Sequence, residues 1–167
     1  LENFISAVRD FTTPMQFERL KKQINIETET AVRQLDSILS APEAKYIDEI
    51  TIGCSDLSES MKKPRWDASF IAQVVKVVKK IKQKNIPVSV GGGITPETID
   101  ECLKKVQPNN FNTRIITFKA DPGRDYREAV QLALRFEILM LEHDSSLKFI
   151  SLDEEKFRIK ELKKRLK

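Results

Sequence analysis

The chain has 167 residues, 40% of them hydrophobic and 32% charged, the balance of a globular domain with a real core and not of a disordered chain. No apolar run approaches the roughly 18 residues of a membrane-spanning helix, no signal-peptide pattern opens the chain, and two cysteines, Cys54 and Cys102, are too few for a disulfide scaffold or an unaided four-ligand zinc site. The net charge of +4 collects at one end, where Asp153 to Lys167 holds seven Lys/Arg against four Asp/Glu, a local +3 that leaves +1 elsewhere.

Those signs interleave along residues 153–167, as they do on a solvated helix face, so neither nucleic acid nor membrane is expected as a partner. The cysteine usage points to a reducing, cytoplasmic home.

At the start, Leu1, Phe4, Ile5, Val8 and Phe11 recur at helical spacing with no capping residue before them. Residues 1–13 therefore read as the end of a helix whose beginning belongs to a missing upstream half. After the break at Thr12-Thr13-Pro14, Ile24 to Thr28 alternates as a strand. A helix follows with Ala31, Leu35, Ile38 and Leu39 inward, ending near Ala41-Pro42. Glu49 to Gly53 is a second strand, stopping at the polar turn Cys54-Ser55-Asp56. Asp67 opens a longer helix with Phe70, Ile71, Val74, Val75, Val78 and Ile81 on one face.

The third strand, Ile86 to Val90, runs into Gly91-Gly92-Gly93, and Thr95-Pro96 starts a helix through Cys102 to Val106. Arg114 to Phe118 reads as a fourth strand, leading through Asp121-Pro122-Gly123 to a long helix bearing Val130, Leu134, Ile138 and Leu141. A last charged helix covers residues 153–167. Four strand–helix alternations predict a parallel α/β sheet with helical crossovers. They make half of a (β/α)8 barrel, whose full length is about 250 residues; an open doubly wound sheet is the alternative.

In such folds the chemistry lies at the C-terminal ends of the strands. Glu27 and Asp56 stand just past consecutive strands. They read either as two carboxylates of a hard-cation site for Mg²⁺ or Mn²⁺ or as caps of the helices that follow. The glycines Gly91, Gly92 and Gly93 also have two readings, close approach to a substrate anion or tight turning and packing. Cys54 has no histidine near it in sequence, and a buried packing role competes with a nucleophilic one. His143 fits the cationic end of a helix, Trp66 a packed loop near the strand ends, and Arg114 the start of a strand on the face opposite the site.

The segments Ile26 to Leu39, Ile52-Gly53-Cys54-Ser55-Asp56-Leu57-Ser58 and Val90 to Ile94 resemble the fifth, sixth and seventh strands of the pyruvate/oxaloacetate-type aldolase and citrate-lyase β-subunit family. Phe111 to Phe118 and the helix to Leu141 are similar to the C-terminal end of one of its branches. The resemblance implies the C-terminal half of a TIM (β/α)8 barrel, with residues 1–167 one partial domain. It implies a metal-dependent carbon–carbon lyase acting on a 2-oxo acid or acyl thioester through a metal-stabilised enolate.

On that footing Glu27 and Asp56 bind Mg²⁺ or Mn²⁺, with Glu29 a rival that should point away. The backbone around Cys54 and Ser55, with Gly91 to Gly93, would border the substrate. The family's substrate arginine and acid/base residues belong to upstream strands, so the isolated chain is expected to be inactive. Cys54 departs from the proline common at its place in the family. Two other functions are weighed: a half-barrel that associates with a copy of itself or with the missing half across exposed apolar sheet, and a sugar-phosphate-binding barrel built on the triple glycine.

Overall fold

In the computed structural model, which describes residues 1–166, the sheet forms where β-branched or aromatic residues alternate with polar ones. Strands β1 (Gln23–Ile26), β2 (Glu49–Gly53), β3 (Val88–Gly91) and β4 (Asn110–Asn112) lie side by side in chain order, each parallel to the next. Strand β5 (Thr117–Lys119) covers the far edge, antiparallel to β4. The order does not reverse within the described residues, so they contain no switch point of the kind on which a doubly wound sheet turns.

Helices α1 (Glu2–Asp10) and α2 (Pro14–Arg19) precede the sheet. Leu1 provides no side-chain cap for α1, as its sequence predicts, and Ile5 enters the core. The Thr13-Pro14 break starts a helix the periodicity did not reveal: Thr13 and Gln16 form a reciprocal capping box around α2. Between β1 and β2 the single predicted helix is two short ones, α3 (Glu29–Arg33) and α4 (Leu35–Ser40), broken at Gln34. The turn at Cys54 is itself helix α5 (Cys54–Ser60), and α6 (Ala68–Lys82) begins where Asp67 accepts a hydrogen bond from the Phe70 amide at 2.6 Å. Helix α7 (Ile99–Val106) joins β3 to β4, and α8 (Arg127–Ser146) and α9 (Leu152–Arg165) end the chain.

The fourth strand corrects the sequence reading. Arg114 to Phe118 is not one strand: β4 ends at Asn112, residues 113–116 turn, and β5 returns beside it with Asn112 opposite Thr117. The turn closes through the Thr113 amide on the Ile116 carbonyl at 3.0 Å. Ile115 and Ile116 look like strand core, but the stack that forms is buried Phe111 on half-buried Phe118, with ring centroids 4.9 Å apart. Pairing those two aromatics across the hairpin outweighs a continuous β-branched run.

Alternation sorts each strand into two faces. Ile26, Ile50, Ile52, Val88, Val90 and Phe111 join Phe70, Val74, Val78, Ile81, Ile99 and Leu103 of the helices in one core cluster, each such side chain contributing about 1.5–3 kcal/mol on burial. The opposite face is polar. Gln23 bonds to Thr51, Asn110 donates to Glu49 at 2.9 Å, and Asn112 to Ser89 at 3.4 Å. Among the described residues, the sheet face expected to be apolar and to drive association is therefore polar; exposed apolar side chains lie outside it, among them Leu132, Phe136 and Leu139 of α8 and Phe157 of α9. Strand β1 remains an open edge of the sheet.

Candidate functional site

The polar face opens, at the C-terminal ends of the strands, into a cleft of about 960 Å³. Strand register builds it. Ile26 pairs with Ile52, Gly53 with Gly91, and Gly91 with Asn112, so the residues that follow β1, β2 and β3 emerge together. Glu27, Ser55, Asp56, Gly91, Gly92 and Gly93 all line this space.

Glu27 lies across Gly53: a Cβ on that glycine would stand 2.6 Å from Glu27 Cγ and Oε1. The carboxylate accepts one hydrogen bond, from Asn25 Nδ2 at 3.0 Å. The cap of α3 is Thr28, whose hydroxyl accepts from the Ala31 amide at 3.1 Å. Helix α5, which contains Asp56, has no side-chain cap. Neither carboxylate is therefore a helix cap, which was the structural alternative for both. Glu29 turns along its own helix to Arg33, 3.3 Å away, as its position predicts.

The three glycines are spaces that other groups fill. The missing Cβ of Gly91 makes room for the Asn112 amide. Gly92, at φ +88°, stands against the α5 amides, with a Cβ there 2.6 Å from the Ser55 nitrogen. Gly93, at φ +72°, faces the Arg65 guanidinium. Both positive angles suit glycine and strain any other residue. The geometry thus gives each glycine a packing role while leaving all three on the cleft wall.

Cys54 does not line the cleft. Its thiol is fully buried, and burial pushes its pKa well above the ordinary thiol range, with Cys102 adding to the effect. A buried, protonated thiol is not a nucleophile; only its backbone lies near the site. His143 is exposed in the last turn of α8. Trp66 fixes the α5–α6 loop by donating from Nε1 to the Gly93 carbonyl at 3.1 Å.

That loop carries a residue the sequence reading passed over. Arg65 enters the cleft beside Trp66 and donates from Nη1 to Ser55 Oγ at 2.9 Å. Arg114 is also misplaced in the sequence reading. Because β4 ends at Asn112, Arg114 stands just past the C-terminal end of a parallel strand and lines the cleft. The charged tail likewise does more than face solvent: Glu161, Lys164 and Arg165 of α9 reach the same cleft. A predicted loop at the strand ends was the available signal for Arg65; nothing local marked Arg165.

Among the described residues, no group of three or more His, Cys, Asp and Glu side chains is placed to hold a metal ion. Glu27 and Asp56 offer two carboxylates, a set suited to Mg²⁺, which commonly takes one or two and completes its octahedron with water and substrate oxygens. No protein-family model and no curated protein matches this chain.

Proposed function

We propose that this chain is the C-terminal half of a (β/α)8 barrel that holds Mg²⁺ or Mn²⁺ at Glu27 and Asp56 and serves carbon–carbon lyase chemistry on a 2-oxo acid or acyl thioester. One observation carries the reading. Two carboxylates that cap no helix line one polar cleft, at the ends of adjacent parallel strands. Supporting it is the one-sided sheet: strands in chain order, apolar on the helix side and polar on the other, as on the wall of a barrel whose interior faces a ligand.

A divalent cation there would supply a Lewis acid for negative charge developing on a carbonyl oxygen. The chain's own residues do the rest that this half contributes. Asn25 orients Glu27 by its hydrogen bond, Gly53 leaves the carboxylate room, and Arg65, braced on Ser55, offers a planar fork to a ligand carboxylate. The complementary half-barrel is the proposed partner at the open β1 edge, where unpaired backbone groups await a strand.

Mn²⁺ titration followed by electron paramagnetic resonance tests the cation site. Weak binding is expected in the unaltered chain, falling about tenfold or more in Glu27→Gln and in Asp56→Asn. Equal Mn²⁺ binding by all three proteins would remove the assignment.

A further inference from the structure

Past the end of β4 the chain collects polar groups that the proposed cation site does not use. Thr113 is 1% exposed, and its Oγ1 has no hydrogen-bond partner. Arg165 of α9 reaches over it, donating from Nη2 to the carbonyls of Ile94 at 2.9 Å and Thr113 at 3.5 Å, while its buried Nε is also without a partner. Arg114 follows Thr113 and lines the same cleft, with φ +109° and a side chain 60% exposed. A non-glycine residue held at such an angle is costly, and it persists where the surroundings or a function demand it.

Behind this group lies Glu137 of α8, 1% exposed. Its carboxylate is 3.8 Å from Arg114 Nε and 3.9 Å from Arg158 Nη2. Those separations are ion pairs but not hydrogen bonds, so Glu137 holds Arg114 in place by charge and leaves its donors unspent, while Arg158 Nη1 donates to Glu154 at 3.4 Å. With Glu154 paired to Arg158 and Glu161 to Lys164, Glu137 is the one carboxylate left to Arg114 and Arg165, which leaves a single net positive charge beside the cleft. A guanidinium fork, a buried hydroxyl and a second guanidinium that all border this end of the cleft suit the acceptors of a planar or tetrahedral oxyanion.

We propose that Thr113, Arg114 and Arg165 form an oxyanion subsite at the β4 end of the cleft, which binds a carboxylate or phosphate group of the ligand. Two strand spacings, about 10 Å of backbone, separate it from the β2 end that carries Asp56. It therefore selects an elongated ligand anionic at its far end. That one ligand spans both places rests on the cation reading above; the subsite itself is tested with no cation present.

The experiment titrates inorganic phosphate and, separately, malonate into the chain by calorimetry, without divalent metal. Saturable binding of one of them is expected, with affinity falling about tenfold or more in Arg114→Gly and Arg165→Gln. Arg114→Gly relieves the positive φ but also removes one ion pair to Glu137, opposing effects, so its melting temperature is expected to change little while binding falls, which separates a ligand role from a folding role. Anion binding without divalent metal reads the subsite alone, whether or not Mn²⁺ binds at Glu27 and Asp56. Phosphate as the tighter anion would favour a phosphorylated ligand and malonate a dicarboxylate. No saturable binding of either anion, or Arg114→Gly binding as tightly as the unaltered chain, would overturn the subsite.

Discussion

Glycine placement shows how single atoms shape this cleft. At Gly53 the backbone is at φ −82°, open to any residue, and the obstacle to a side chain is the flexible end of Glu27. At Gly92 the backbone is at φ +88° and the obstacle is the main-chain nitrogen of Ser55. Alanine should therefore act differently at the two positions. Gly53→Ala is expected to move Glu27 and weaken Mn²⁺ binding while urea stability changes by less than about 1 kcal/mol. Gly92→Ala is expected to cost about 1–3 kcal/mol in the same urea titration, through backbone strain and overpacking. Similar stability losses in both would show that Gly53 serves the fold and not the carboxylate. The triple glycine itself was plain in the sequence. Which neighbour each glycine admits was not, because Asn112, Ser55 and Arg65 arrive from three other segments.

Among the elements, α9 departs most from its sequence. Its alternating charges describe a solvated helix, and most of its surface is one, begun by Ser151 accepting from the Glu154 amide at 3.1 Å. Yet Leu162 is buried, and Arg158 and Arg165 turn inward to Glu137 and to the carbonyls of Ile94 and Thr113. Burial pushes the Glu137 carboxyl above the usual glutamate range, and the surrounding arginines oppose that push. Removing α9 by ending the chain after Ile150 leaves Arg114 as the one ion-pair partner of that carboxylate. The expected loss is about 3–5 kcal/mol, from the lost burial of Leu162 and of the half-buried Ile159 together with the Arg158 ion pair to Glu137. Urea unfolding checks it, and a midpoint unchanged by the truncation would reduce α9 to a surface appendage. The β4–β5 hairpin teaches the same lesson. Ile115-Ile116 carries the strongest local strand propensity in its region, but the stacking of Phe111 on Phe118 decides the pairing.

At the scale of the molecule, helices cover one side of the sheet and polar side chains furnish the other. Both cysteines lie on the covered side, unpaired and buried, so they report on the core as a unit. Burial pushes the Cys102 thiol from 9.0 up to about 12 and the Cys54 thiol higher still. At pH 8 neither should react with a thiol reagent until the chain unfolds globally, and both should react together in urea. Stability has the matching sign. Above pH 9 the unfolded chain releases thiol protons that the folded chain keeps, so folding weakens as pH rises, progressively through about 12 for Cys102. Replacing both cysteines by alanine should flatten that alkaline decline in a series of urea titrations; an identical decline would assign it to other groups.

What the sequence determined by itself was the set of local periods and stops. Alternation in Ile24 to Thr28, Glu49 to Gly53 and Ile86 to Val90 located three of the four parallel strands to within about two residues, and Asp67 marked the start of α6. The same alternation placed Glu27 and Asp56 beyond two strand ends, because a strand's direction and its terminus are local properties. Tertiary structure alone decided that these ends share a cleft with Arg65, Arg114 and Arg165. It also decided that the open face is polar and that the tail folds back across it. The physical reason is range: hydrogen-bonded periods repeat every two to four residues, whereas Arg165 meets Ile94 across 71 positions of chain, a contact chosen by the packing of the whole fold.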